Sequence, residues 1–205
     1  KEMIASYLPP SREHLLGTND VGQDIFSEMV YGTRVSLYIG IFAAFIVTGV
    51  GTVLALVSGY FGGVTDKIIT AITNIAMAVP SLPLTVLLVA YLNPGKWSLI
   101  IAISVTAWTG TARILRSRVM QLKELPFIKI EKTMGVHPVV ILFKHILPNI
   151  KDIILTRGAM AISGAMMTEA GLSFLGLGEF GEKSWGSVLH YAFFRNSIMK
   201  KQYWW

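Results

Sequence analysis

Cysteine is absent from the 205-residue chain, so neither a disulfide framework nor a thiolate metal site is open to it, although this says nothing about redox compartment. Charge is scarce: 15% of residues are charged against 53% hydrophobic, and the mean hydropathy is positive, which excludes an ordinary soluble domain and points to an integral membrane protein. The catalytic patterns are missing too. There is no Gly-x-x-x-x-Gly-Lys-[Ser/Thr] phosphate loop, so this chain does not itself bind and hydrolyse ATP by that route. His-Glu-x-x-His does not occur, and Ser163 in Ile162-Ser163-Gly164 lacks the glycine two residues ahead that a strained nucleophile turn needs. Four histidines, His14, His137, His145 and His190, are too scattered to form a ligand set, so no metal site is expected. The reading is of a non-enzymatic chain that binds no cofactor itself.

What is present is long apolar runs. Val35 to Gly59 and Ile68 to Leu92 each run 25 residues without a charge, Trp97 to Ala112 runs sixteen, and Gly158 to Gly178 runs twenty-one with only Glu169 interrupting. About 20 residues cross a hydrocarbon core roughly 30 Å thick, so four spans are expected, the short third one extended by the stems of Lys96 and Arg113. The fold class is therefore all-α, a polytopic helical bundle. Gly40, Gly49, Gly51 and Gly59 in the first span are small residues that let helices approach closely, and the Gly59 to Gly63 turn makes the first two spans neighbours. In the second span, Pro80 and Pro83 remove two backbone donors and should bend or break the helix. A bend in lipid must face protein or a watery path, so Asn74, Met77, Pro80 and Ser81, with Glu169, are candidate path residues.

The positive charge has a location. Nine of the 18 basic residues fall between Arg113 and Arg157, against three acids, Glu124, Glu131 and Asp152. The positive-inside rule makes that loop cytoplasmic, and with no interleaved stacking aromatics it is not a nucleic-acid surface. Both ends then lie outside. The organisation expected is an extracytoplasmic lead-in over residues 1–33, in which Glu2, Glu13, Asp20, Asp24 and Glu28 outweigh Lys1 and Arg12; a transmembrane domain over 34–178 with its cytoplasmic loop at 113–151; and an extracytoplasmic segment over 179–205.

Within the basic loop, Gly135 is followed by Leu147-Pro148 twelve and thirteen positions on. Phe127, Ile128, Ile130 and Met134 give the three- and four-residue spacings of a short surface helix, which Gly135 would stop and His137-Pro138 would follow in extended conformation. This segment resembles the signature loop of bacterial and archaeal ABC importer permeases, in which Glu-Ala-Ala, three residues and Gly precede Leu-Pro at that distance. The dipeptide, oligopeptide and nickel branch is similar also at "HLLGTNDVGQDIFSEMVYGTRVSLYIG", "AWTGTARILRSRVMQLKELPFIK", "FKHILPN" and "TEAGLSFLGLG". The resemblance covers nearly the whole chain.

The resemblance implies one transmembrane subunit of an ATP-driven importer of peptides in a bacterial or archaeal cytoplasmic membrane, with nickel or another small solute as the alternative cargo. Implied partners are a second homologous permease, two ATPase subunits carrying the ATP and Mg, an extracytoplasmic binding protein, and the bilayer. The coupling helix would comprise Phe127, Ile128, Lys129, Ile130, Glu131, Thr133, Met134 and Gly135 with His137, and the loop would end at His145, Leu147, Pro148 and Asn149. Lys129-Ile130-Glu131 stands where the family has Glu-Ala-Ala, so Lys129 would need an acidic or neutral partner on the ATPase; Gln23 stands where Arg is frequent. Family members of this branch have six spans, so the first and last are expected to be missing here. A secondary transporter and a membrane scaffold without transport are the rival classes. Glu169, the one carboxylate in the spans, is expected to accept backbone N–H bonds from the Gly171 to Gly178 segment, with the outer mouth of the path as its alternative place.

Overall fold

The computed structural model describes residues 6–179 and 181–205, so Lys1 and Glu2 of the lead-in lie outside the described residues. Among the described residues there is no β-strand; Thr18 and Asp24 form one isolated bridge. Among the described residues eight α-helices follow in order: α1 (Ile25–Phe61), α2 (Gly63–Ala78), α3 (Ser81–Leu92), α4 (Lys96–Lys123), α5 (Pro126–Thr133), α6 (Pro138–Ile141), α7 (Leu147–Phe174) and α8 (Trp185–Phe194), with a π turn at Leu142–Ile146.

Asp24 starts α1 by accepting from the Ser27 amide at 2.8 Å and the Ser27 hydroxyl at 2.7 Å, and that hydroxyl bond above all holds its carboxyl below the ordinary range. The helix runs through the expected boundary at residue 34. Its buried face, Val35, Ile39, Ala43, Val47, Gly51 and Ala55, recurs every four residues, and the helix packs most heavily against α4 and then α7. The glycines divide. A Cβ on Gly51 would lie 2.8 Å from Thr111 and one on Gly59 2.8 Å from Val119, so both set the close approach of α1 to α4, whereas Gly49 meets nothing within 4 Å. Two apolar cores result. One joins Val35, Ile39, Leu99, Ile103 and Leu172; the other joins Leu56, Leu115, Val119, Ile128, Ile146 and Ile150.

The second apolar run is broken, as its prolines imply. The axes of α2 and α3 differ by 87° across Val79 and Pro80. Val79 is forced extended (φ −85°, ψ 128°) by the ring after it, and Pro80 cannot donate. Pro83 bends nothing, because it lies in the first turn of α3, where its amide would have had no helical acceptor.

Length and hydropathy recover fewer than the four spans expected. Among the described residues α1 and α4 are long and apolar enough to cross a membrane, and the bent α2 and α3 pair makes a third if it is one span. The run from Gly158 to Gly178 does not make a fourth by this measure. Helix α7 is long enough at 28 residues, but its charges at Lys151, Asp152, Arg157 and Glu169 and its many Gly, Ser and Thr residues dilute its hydropathy, and it stops at Phe174.

The lead-in packs against the helices. Thr18 and Asn19 are buried, Asn19 donates to Glu28 at 2.9 Å, Glu28 pairs with Lys183 at 2.7 Å, and Asp20 pairs with Arg195 at 2.8 Å. At the same end Lys96 reaches Glu182 at 2.9 Å and Glu179 at 3.6 Å, so an ion pair rather than a free snorkelling stem receives its charge.

Candidate functional site

Helix α5 begins at Pro126 in the first helical position, after an extended Leu125. Its eight residues and the Met134 that caps them divide between two faces. Ile128 is 2% exposed and sits in the core of Leu115, Val119, Leu122, Ile141 and Ile146, while Phe127, Ile130 and Met134 are 45%, 58% and 76% exposed. One face pins the helix to α4, and the other presents an apolar stripe outward. The stop is a Schellman motif: Gly135 adopts φ 78°, its amide bonds to the Lys132 carbonyl at 3.2 Å, and the Val136 amide bonds to the Glu131 carbonyl at 3.1 Å. A Cβ on Gly135 would meet nothing within 4 Å, so the demand for glycine here is conformational and not spatial.

The charged positions of α5 turn to neighbours. Glu131 faces inward, its Oε1 2.8 Å from His145 Nε2, with the Phe127 ring 6.1 Å from the imidazole. Lys129 pairs with Glu124 at 2.9 Å, and that ammonium holds the Glu124 carboxyl below its ordinary value. Both groups are well exposed, so the pair is weak and leaves Lys129 open to exchange partners. Thr133 donates to the Lys129 carbonyl at 2.9 Å, and His137, extended before Pro138, accepts from the Val139 amide through Nδ1 at 3.3 Å.

Leu147, Pro148 and Asn149 do not end a loop; the non-helical connection covers only a few residues around Gly135. Helix α6, the π turn and α7 form a continuous helical run. Pro148 has no amide for the carbonyl four residues back, and the helix widens instead: the Leu147 amide bonds to the Leu142 carbonyl, five residues back. Asn149 then donates its side-chain amide to the His145 carbonyl at 2.6 Å.

The five path candidates separate into three places. Met77, Pro80 and Ser81 line one open groove with about 970 Å³ of empty space, completed by Thr85, Ile103, Thr106, Thr109 and Thr168. Among the described residues no ionisable side chain lines it, and the Thr85 and Thr106 hydroxyls share a 3.2 Å hydrogen bond that ties α3 to α4 at its wall. Asn74 lies elsewhere, accepting from Arg113 at 2.8 Å. Glu169 is fully buried and accepts from the hydroxyls of Ser36 at 2.9 Å and Ser173 at 2.7 Å. The backbone amides expected as its donors are replaced by those two hydroxyls, because Gly176 and Leu177 turn their amides onto the carbonyls of Ser173 and Leu172.

One cluster escaped the sequence reading. Asp66 of α2 receives Nε and a terminal nitrogen of Arg116 of α4, each at 2.5 Å, and also the Ser58 hydroxyl of α1. A signal was there: Asp66 is the one acid between Glu28 and Glu124. Among the described residues no group of three or more His, Cys, Asp or Glu side chains is placed to hold a metal.

The family described as "Binding-protein-dependent transport system inner membrane component" matches residues 51–196. The oligopeptide transport system permease protein OppC of Bacillus subtilis (strain 168) is 41% identical over 88% of this chain and 59% of its own length. The dipeptide transport system permease protein DppC of the same organism is 38% identical over 87% of this chain and 56% of its own. The glutathione transport system permease protein GsiD of Pectobacterium atrosepticum is 37% identical over 89% of this chain and 61% of its own. The chain thus spans about 60% of the length of these curated relatives. A chain of the MetNI methionine ABC transporter in an inward-facing conformation superposes with a TM-score of 0.68 at 18% identity, covering 86% of this chain and 88% of that one, a likeness of fold.

Proposed function

Because the chain belongs to the binding-protein-dependent transport system inner membrane components, a family of helical membrane proteins, we propose that it is a permease subunit of an ATP-driven importer of peptides. The observation that carries this reading is α5. A short helix is anchored by Ile128 to the end of the long helix α4 while Phe127, Ile130 and Met134 face outward, which is the form of a helix offered to a partner's groove. The partners in this reading are two ATPase subunits on the cytoplasmic face, a second homologous permease beside α1 to α7, and an extracytoplasmic binding protein. ATP and Mg belong to the ATPases; this chain does no covalent chemistry and holds no cofactor. Its setting is a bacterial or archaeal cytoplasmic membrane.

The groove supports a neutral polar cargo path. Hydroxyls at Ser81, Thr106 and Thr168, none of them buried, can exchange hydrogen bonds with successive peptide groups, while among the described residues no carboxylate or imidazole lines the groove to ligate nickel or to act as an ion or proton site. A secondary transporter is disfavoured on the same ground. Energy would enter mechanically, as closure of the ATPases shifts the balance between inward-open and outward-open states by a few kcal/mol.

ATP-dependent peptide uptake by vesicles holding the complete transporter, with the ATPases recovered in a pull-down, tests the reading; uptake driven by an ion gradient without ATP contradicts it. Orientation has its own test. The chain has no cysteine, so one introduced at Lys132 reports cleanly. It is expected to react with an impermeant thiol reagent only after cells are opened, and one at Glu13 to react from outside. The opposite pattern overturns the orientation.

A further inference from the structure

We propose that Arg116 and Arg113 make α4 carry α2, so that movement of α5 reaches the α2 to α3 bend lining the groove. The inference deepens the permease reading and rests on it.

Helix α2 is poorly held by apolar burial. Thr73 is its single buried residue, and Val64, Ile68, Ile72 and Ile75 are 72%, 55%, 53% and 69% exposed. What grips it is polar. The Asp66 carboxylate receives the forked guanidinium of Arg116, with Thr70 at 3.3 Å and Ser58 completing its shell, and Arg113 holds Asn74 at 2.8 Å. Asp66 and Asn74 stand two helical turns apart, about 12 Å along the axis, so two points of attachment fix the direction of α2 against α4 as well as its place. Apolar surfaces slide past one another, whereas a bidentate pair holds one register.

The connections on either side make the grip consequential. Arg116 stands seven residues before the end of α4 at Lys123, and α5 begins at Pro126. Ile128 of α5 packs in the same core as Leu115, Val119 and Leu122 of α4, so those helices move as one body. At the far end of α2, Ala76, Met77 and Val79 form one wall of the groove, opposite Ile103 and Thr106 of α4. A displacement imposed on α5 therefore has a continuous path to the bend. The Asp66 and Arg116 side chains are 17% and 29% exposed, so Arg116 keeps some water, and asparagine at 66 keeps the shape and one acceptor for it; the exchange variant then separates grip from fold.

The test uses the complete subunit assembled with its ATPases in proteoliposomes. Asp66→Asn is expected to keep the complex and its ATP hydrolysis but to lower uptake per ATP at least about tenfold, and Asp66→Arg with Arg116→Asp to restore most of it. A part that only staples the fold would lower assembled complex and leave uptake per ATP unchanged. Spin labels on cysteines at Ile68 and Ile114, in an otherwise unaltered chain, are expected to give one separation with or without nucleotide, and a nucleotide-dependent separation once Asp66→Asn is added. Unchanged uptake per ATP in Asp66→Asn, an exchange variant that assembles but does not transport, or a separation in the otherwise unaltered chain that changes with nucleotide each overturns the proposal. Absence of ATP-driven uptake in the wild type defeats the permease reading instead, and the label separation still judges the grip.

Discussion

Gly135→Arg is expected to abolish ATP-driven uptake, by about a hundredfold or more, while the subunit stays in the membrane and folded. The magnitudes decide which of two causes is responsible. A non-glycine residue at φ 78° costs about 1 to 2 kcal/mol, too little to dissolve a bundle whose two cores span α1, α4 and α7. The space around the missing Cβ is empty within 4 Å, so no internal clash adds to it. That same emptiness means that the arginine projects outward, beside Met134, into whatever docks on the exposed stripe. Loss of coupling therefore comes from bulk and charge at a partner surface. Gly135→Ala separates the two, since it carries the strain of a Cβ in the left-handed region without bulk or charge: it is expected to keep most uptake. Wild-type uptake by Gly135→Arg would sink the assignment of α5 as the coupling helix, and equal loss in Gly135→Ala would move the cause to backbone strain.

Glu169→Ala is expected to cost the assembled complex rather than the transport step. Glu169 is wholly buried between α1 and α7, and its two oxygens satisfy hydroxyls 133 residues apart in sequence from one of them, Ser36, and four from the other, Ser173. The Ser36 hydroxyl lies also within 3.5 Å of the Trp185 amide, so α8 joins the same knot. Alanine would leave a cavity and two buried hydroxyls without acceptors, a loss on the order of 3 kcal/mol or more. Glutamine keeps the shape, and its carbonyl and amide can serve one hydroxyl each, because a serine can accept as well as donate. Glu169→Gln is thus expected to retain the complex and most uptake, with Glu169→Ala severalfold lower in complex recovered from membranes. Normal assembly of both variants, with loss confined to cationic cargo, would make Glu169 a path residue.

Much of this architecture was written in runs and punctuation. Uncharged stretches of 25 and sixteen residues marked the apolar parts of α1 and α4, and Pro80 marked the break after α2. The apolar spacing before Gly135 gave α5 together with its stop, because a left-handed terminus selects glycine for a local reason. What stayed hidden depended on distance in space. Pro148 reads as an end of structure, yet a π turn absorbs its missing donor and the helix continues. Asp66 and Arg116 lie 50 residues apart, and nothing local announces that one guanidinium will fork onto that carboxylate. The run in α7 that only Glu169 interrupts reads as a fourth span, but the small and polar residues along it and the charges before it lower the average of the whole helix, although it is long enough to cross. Gly49 illustrates the converse: its composition fits a packing face, but it faces open space.

Seating of the outward stripe of α5 in an ATPase subunit is read most directly by a cross-link. Ile130 is 58% exposed and Ile128, two residues away, is 2% exposed. A cysteine at each position in the complete, assembled transporter, treated with a short thiol-to-amine reagent, is expected to give one adduct with the ATPase from Ile130→Cys, its yield changing with ATP, and none from Ile128→Cys. Labelling of Ile130→Cys by a lipid-phase thiol probe, with no ATPase adduct, would mean that α5 rests on the bilayer and would contradict the account.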